Sequence, residues 1–190
     1  KNERMQRIYD IQLTPESYKQ QNAHLDIEPD LQCPSCFKAC RLHRHGFYQR
    51  FITCSQGIPI RIQIARFLCP CCRRSISYLP DFAFSYRLVN AETLDCFLDG
   101  QHSSLDVQRC YELLQRYERR MHTFLPMLMS VAGKAFEWIP RPGRPLWGGI
   151  KKACGRLAAA TRQLVSKLAI TLFAPYQCHQ SAIRPEFVST

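Results

Sequence analysis

Two short cysteine steps, Cys33-Pro34-Ser35-Cys36 and Cys69-Pro70-Cys71-Cys72, constrain this chain more than any other feature. A two-residue gap lets both sulfurs of a step face one point while the backbone amides between them turn toward the sulfurs. Two such steps bracketing a strand pattern have the spacing of a four-thiolate zinc site. Pro34 and Pro70 take equivalent places in the two steps, an internal echo that supports the pairing. Cys33, Cys36, Cys69 and Cys72 are the expected ligands of one structural Zn2+ ion. Under this spacing Cys71 is a spare, and a shifted choice that used it would displace one of the four.

The stretch between the steps reads as a hairpin. Residues 46–53 are rich in strand formers (Phe47, Tyr48, Phe51, Ile52), and Ser55-Gln56-Gly57 supplies turn chemistry. Ile58, Ile60, Ile62 and Ile64 then alternate with Pro59, Arg61 and Gln63, the period of a strand with one buried face. A metal clamp would supply folding energy that so small an apolar core cannot. Residues 32–85 are therefore expected to form a zinc ribbon. Ahead of it, residues 1–31 read as a lead-in that packs on the ribbon. There Tyr9, Ile11 and Leu13 share one face of a short strand, and Thr14-Pro15 starts a helix.

The chain carries eleven cysteines, an odd number, and no leading apolar segment resembles a secretory signal. Both favour bound metal over a disulfide framework. The longest apolar run, Leu157 to Ala174, is interrupted by Arg162 and Lys167, so no membrane span is expected and the reading is cytoplasmic. A net charge of +11 points to a polyanionic partner, nucleic acid first and an anionic membrane surface second. Cys40, His43, His45 and Cys54 also have the chemistry of a second metal site. The plainer reading is that Cys54 is a small buried hydrophobe and residues 41–45 a solvated basic strip.

Beyond the ribbon, residues 86–139 have helical periodicity. Asn90 caps a helix containing Leu94, Phe97 and Leu98 that stops at Gly100, and Ser104 caps a second running through Val107, Leu114, Tyr117 and Met121. Helix, short turn, helix is the layout of a DNA-reading helix-turn-helix, and equally of any small helical domain. Pro126 is expected to kink or end the second helix. Residues 140–190 form a basic linker and tail. Pro140-Arg141-Pro142-Gly143-Arg144-Pro145 reads as a Pro/Gly linker or a minor-groove arm. After it, Ile150, Cys154, Leu157, Thr161, Leu164, Leu168 and Leu172 share one face of a basic amphipathic helix. The expected class is α+β: a small β-hairpin zinc ribbon, a helix-turn-helix-like region and a C-terminal amphipathic helix.

The steps themselves, together with Arg44-His45-Gly46-Phe47-Tyr48-Gln49-Arg50 and Ser77-Tyr78-Leu79-Pro80-Asp81-Phe82, resemble the zinc-ribbon amino-terminal region of bacterial insertion-sequence transposases. They are also similar to a bacterial family of short transposase-like zinc-ribbon proteins. The resemblance covers residues 32–86. It departs from the pattern at Phe37 and Arg73, where such ribbons usually carry glycine because a positive φ is wanted. It implies a zinc-dependent DNA-binding protein of a mobile element, located in the bacterial cytoplasm and associated with the nucleoid. A helix-turn-helix commonly follows the ribbon in such proteins.

The expected DNA contacts are Arg44, Arg50, Arg61, Arg73, Arg74, Arg109, Arg116, Arg119, Arg120 and Arg144. The strand arginines are assigned mainly to phosphates. Those beside the cysteine steps, Arg73 and Arg74, with Lys38, are assigned mainly to offsetting the negative charge of a thiolate centre. RNA is the alternative nucleic acid, and a protein-interaction module is a further reading. The acids cluster before Glu137 and the tail offers only Glu186, so no separate acidic catalytic domain of the two-metal kind is expected. The βαβ context of a thiol oxidoreductase is also missing. A divergent or truncated transposase enzyme is the remaining catalytic alternative.

Overall fold

The structure, a computed structural model, describes residues 4–84, 87–136, 146–168 and 170–173. Strands β2 (His43–Thr53) and β3 (Pro59–Leu68) form the expected antiparallel hairpin, with Tyr48 opposite Ile64 and Ile52 opposite Ile60. Alternation places Ile62 and Ile64 in the interior and leaves Arg61 outside. The register slips between Arg44 and Phe47, where β2 carries one extra residue and Gly46 has φ of +82°. This bulge is a local kink that only glycine accepts without strain.

The sheet is larger than a hairpin. Strand β4 (Ser75–Pro80), which the alternation did not mark, pairs antiparallel with β3. Strand β1 (Arg4–Tyr9) pairs parallel with β4, giving the order β1-β4-β3-β2. The lead-in therefore supplies an edge strand, which ends at Tyr9 rather than reaching Leu13. Helix α1 (Pro15–Gln20) begins as the Thr14-Pro15 pattern implies: the Thr14 side chain accepts a hydrogen bond from the Ser17 amide. Its Tyr18 is fully buried and donates its hydroxyl to Gln63 O at 2.9 Å, docking the helix on β3.

Both sheet faces are covered. Ile52, Ile62, Ile64 and Leu79 pack beneath Tyr18 and Phe82 on one side. Ala65, Phe67, Ile76 and Tyr78 pack with Ile27, Leu42 and the cysteine steps on the other.

The second lobe is helical. Asn90 caps α2 (Ala91–Leu98), its side chain accepting from Thr93 N at 2.8 Å. Helix α3 (Leu105–Phe136) follows and continues past Pro126 for ten further residues. The expected stop at Pro126 is thus absent. A proline removes one i→i−4 bond, and the buried Leu128 just beyond it keeps the helix packed on its neighbours.

The expected C-terminal amphipathic helix is two helices, α4 (Leu146–Cys154) and α5 (Leu157–Leu168), broken at Gly155 with φ of +75°. Their shared apolar positions still face one core. Ile150, Leu157 and Leu164 are fully buried with Leu94, Leu114 and Phe173. This face is consumed in packing against α2 and α3. Residues 140–145, with Arg144, and also Cys178 and His179, lie outside the described residues.

The lobes meet along a polar seam. The buried Asn90 donates through Nδ2 to Thr53 O at 2.9 Å, and its backbone amide to Thr53 Oγ1 at 3.0 Å. The hairpin turn rests on the start of α3, where Arg109 donates to Gln56 O at 2.8 Å. Gly57 (φ +73°) sits so close that a Cβ there would lie 2.9 Å from the Asp106 backbone. At the far edge Arg162 of α5 pairs with Asp10 at 2.7 Å. No helix among the described residues is long and apolar enough to cross a membrane.

Candidate metal centre

The two cysteine steps fold into the same loop twice. In the first, Phe37 N donates to Cys33 O at 2.8 Å and Cys33 N to Lys38 O at 3.0 Å. In the second, Arg73 N donates to Cys69 O at 2.9 Å and Cys69 N to Arg74 O at 3.0 Å. Phe37 (φ +58°) and Arg73 (φ +55°) take the left-handed conformation although neither is glycine. Each such residue costs about 1–2 kcal/mol, so the surroundings must hold it there. Amides point at sulfur in both loops: Ser35 N at Cys33 Sγ and Cys72 N at Cys69 Sγ, each 3.4 Å. Arg74 ties the loops together by donating to Ser35 Oγ at 2.9 Å.

Strand β3 leads directly into the second loop, and the first is folded against it, so four sulfurs far apart in sequence converge. Cys33, Cys36, Cys69 and Cys72 have their Sγ atoms all within 4.8 Å of one another. Cys33–Cys72 and Cys36–Cys69 are both 3.8 Å apart. A tetrahedron with ~2.3 Å metal–sulfur bonds has an edge of ~3.8 Å, so the spacing fits a four-thiolate metal ion. Burial pushes the Cys33 thiol up to about 12. Burial opposes ionisation of Cys69 as well, yet the Cys72 amide and the thiols of Cys33, Cys40 and Cys72 lower it to about 6. A bound ion would cross-link the loops at the end of the hairpin remote from α3.

Exposed basic side chains surround this end. Lys38, Arg41, His43, His45 and Arg73 are all exposed. Cys54, by contrast, is buried beside the turn, its amide bonded to Ile58 O at 2.9 Å, away from Cys40.

The ten arginines singled out from the sequence divide into groups. Arg44 donates to His24 O, Leu25 O and Ile27 O at 2.9–3.3 Å and lies over the Phe47 and Phe67 rings. Arg50 donates to Phe84 O and to Arg87 O, Arg109 to the hairpin turn, and Arg120 to Phe173 O at 3.4 Å. These four, with Arg74, fasten one part of the protein to another. Arg61 is exposed with its guanidinium 4.9 Å above the Phe51 ring, and Arg73 is exposed beside the thiols. On the outer face of α3, Gln108, Gln115, Arg116 and Arg119 are exposed, Arg116 only 4.0 Å from Glu112. Arg144 lies outside the described residues.

Two groupings escaped the sequence reading. Cys40 Sγ lies 3.5 Å from Cys69 Sγ, and Cys40, Cys69 and Cys71 form a second set within 4.8 Å. The available signal was the surplus of thiols in and between the two steps. The other grouping joins Asp10 and the buried Asp81 to Arg156 and Arg162, with Arg156 at 3.7 Å from both acids. Burial and the Asp10 carboxylate push Asp81 up to about 6. Nothing in the spacing of these four residues foretells their meeting.

A mixed α+β chain with a four-stranded sheet, helices and a cysteine cluster suited to a metal ion is the class that fold and site define. A family described as a domain of unknown function (DUF6431) matches residues 33–117, and the chain is similar to it over both cysteine steps, the hairpin, β4, α2 and the first turns of α3. Neither a curated protein nor a solved structure matches the chain.

Proposed function

We propose that this chain is a zinc-dependent DNA-binding protein, the recognition part of a transposase-like mobile-element protein without a catalytic site of its own. The observation that carries the reading is the tetrahedral spacing of Cys33, Cys36, Cys69 and Cys72 beneath a collar of exposed cations. A zinc ribbon built this way uses its metal for rigidity and its surface for contact. Lys38, Arg41 and Arg73 reach phosphates from the knuckles, and Arg61 from the hairpin. The α2–α3 pair is the helix-turn-helix-like part, and Gln108, Gln115, Arg116 and Arg119 are side chains of the kinds that meet base edges and backbone. The net charge of +11 supplies long-range attraction.

Electrophoretic mobility shifts on duplex DNA test this reading. Binding is expected to weaken steeply with salt, with each lost phosphate contact lowering the slope of log K against log salt by about one. Complete removal of zinc is expected to abolish the shift. Undiminished binding by the zinc-free protein, or binding indifferent to salt, overturns the reading. Incubation with Mg2+ or Mn2+ and duplex DNA is expected to leave strands intact; cleavage would establish the enzyme alternative.

A second reading has its own support. Phe47 and Phe51 are exposed on one face of β2, one under Arg44 and the other under Arg61. Aromatic rings beside guanidinium groups form a stacking platform for unpaired bases. Competition between duplex DNA and single-stranded RNA decides between the two.

A further inference from the structure

We propose that the cluster holds a second zinc ion, bound by Cys40, Cys69 and Cys71, with the Cys69 thiolate bridging the two metals. Three Sγ atoms within 4.8 Å of one another, and outside the first set except for Cys69, mark the site. The local fold builds it. An antiparallel bridge between Gln32 and Ala39, with Cys40 N donating to Leu31 O at 3.2 Å, closes the first loop and turns Cys40 back over the second. Cys40 Sγ then stands 3.5 Å from Cys69 Sγ, closer than the 3.8 Å separations inside the first set. Cys71, held between two ligands on the same loop, is exposed and completes the triangle from the solvent side.

Charge favours the arrangement. Four thiolates on one Zn2+ carry a formal charge of about −2. Adding a second Zn2+ with the thiolates of Cys40 and Cys71 leaves the total unchanged, because two added negative charges meet two added positive ones. The second ion has three sulfur ligands, and its fourth position opens toward solvent beside Cys71, so water or an exogenous donor completes the tetrahedron. A closed site and an open site thus share one sulfur. The closed ion is the structural one; the open ion exchanges faster and takes an added ligand. A disulfide between Cys40 and Cys69 would use the same proximity but would leave Cys71 without a role and remove a ligand from the first ion.

The inference rests on the four-thiolate reading, and metal counting separates the two. The protein is loaded with zinc, freed of excess and weighed by native mass spectrometry. Two zinc ions are expected in the wild type and one in each of the Cys40→Ser and Cys71→Ser variants. Zinc release to a chromogenic chelator is expected in two phases, the faster equal to one ion and missing in Cys71→Ser. Because Cys71 is exposed, that substitution leaves the fold intact. Replacing zinc with cadmium-113 in the wild type is expected to give two resonances that couple through Cys69. One ion in the wild type overturns the second site alone. A second ion that persists in either variant places it elsewhere and overturns it as well. No ion at all defeats the four-thiolate reading with it.

Discussion

The knuckle end of the sheet and the helical lobe reach order by opposite routes. Around the cysteine steps, the interior is short of apolar mass: Ile27, Leu42, Ala65, Phe67, Ile76 and Tyr78 are what is buried there besides sulfur. Two residues in left-handed conformation and a collar of like charges oppose that order. The helical lobe instead buries a long continuous set that includes Leu94, Phe97, Leu114, Leu128, Ile150, Leu157, Leu164 and Phe173. Each large side chain so buried contributes about 1.5–3 kcal/mol, so one lobe gains far more from packing, and the other is where a metal cross-link would add most.

The difference is open to attack, most severely at the thiols. Replacing Cys36 and Cys72 together with serine, or stripping the metal, is expected to unfold residues 31–45 and 66–75 while α2–α5 keep their protection. Hydrogen exchange read segment by segment checks this, and equal loss of protection in both lobes would erase the distinction. Leu114→Ala reverses the asymmetry. It leaves a cavity in the helical core and is expected to cost about 2–5 kcal/mol in chemical denaturation with zinc stoichiometry unchanged.

The seam comes next in size. At Gly57 the backbone has a positive φ and the Asp106 backbone stands where a Cβ would go. Gly57→Ala is expected to cost on the order of 2 kcal/mol and to make the two lobes melt separately, seen as two calorimetric transitions in place of one.

The smallest effect is electrostatic. Asp95 accepts the Leu157 amide on both oxygens at 3.0 and 3.1 Å, capping α5, and burial pushes its carboxyl up to about 7. A carboxyl raised on folding stabilises the native state while protonated in it. That contribution is whole below the unfolded value near 4 and is lost as pH rises through about 7. Asp81, raised to about 6, acts in the same direction. Asp95→Asn keeps an acceptor for Leu157 and removes the charge. The fall in melting temperature between pH 5.5 and 8 is therefore expected to be shallower in the variant. An unchanged slope would show that Asp95 does not titrate in that window.

Local elements were largely legible from local chemistry. The hairpin, the Thr14 and Asn90 caps and the Gly100 stop all arise from residues within a few positions of the feature, and they appear where the patterns place them. The two Cys-x-x-Cys steps named the sulfurs that converge, because two ligands on one turn share a direction wherever the chain carries them. Strand β4 was hidden because Ser75-Ile76-Ser77-Tyr78-Leu79-Pro80 is covered on both faces, and a strand buried on both sides shows little alternation. The break between α4 and α5 was hidden because their apolar faces stay in phase across Gly155.

The arginines teach a different limit. Composition alone cannot tell a guanidinium that meets a phosphate from one that closes a loop. Arg44, Arg50 and Arg109 turned out to fasten loops because backbone carbonyls from distant segments end within reach of them.

By itself the sequence determined the α+β composition, the hairpin, the caps and the four thiols of the centre, since each depends on spacing along one short stretch. Only the tertiary structure decided that Cys40 stands against Cys69 and Cys71, that β1 and β4 complete the sheet, and that Asp10 and Asp81 meet Arg156. Those meetings join residues separated by tens of positions. They are settled by which surfaces pack together, a property that no window along the chain contains.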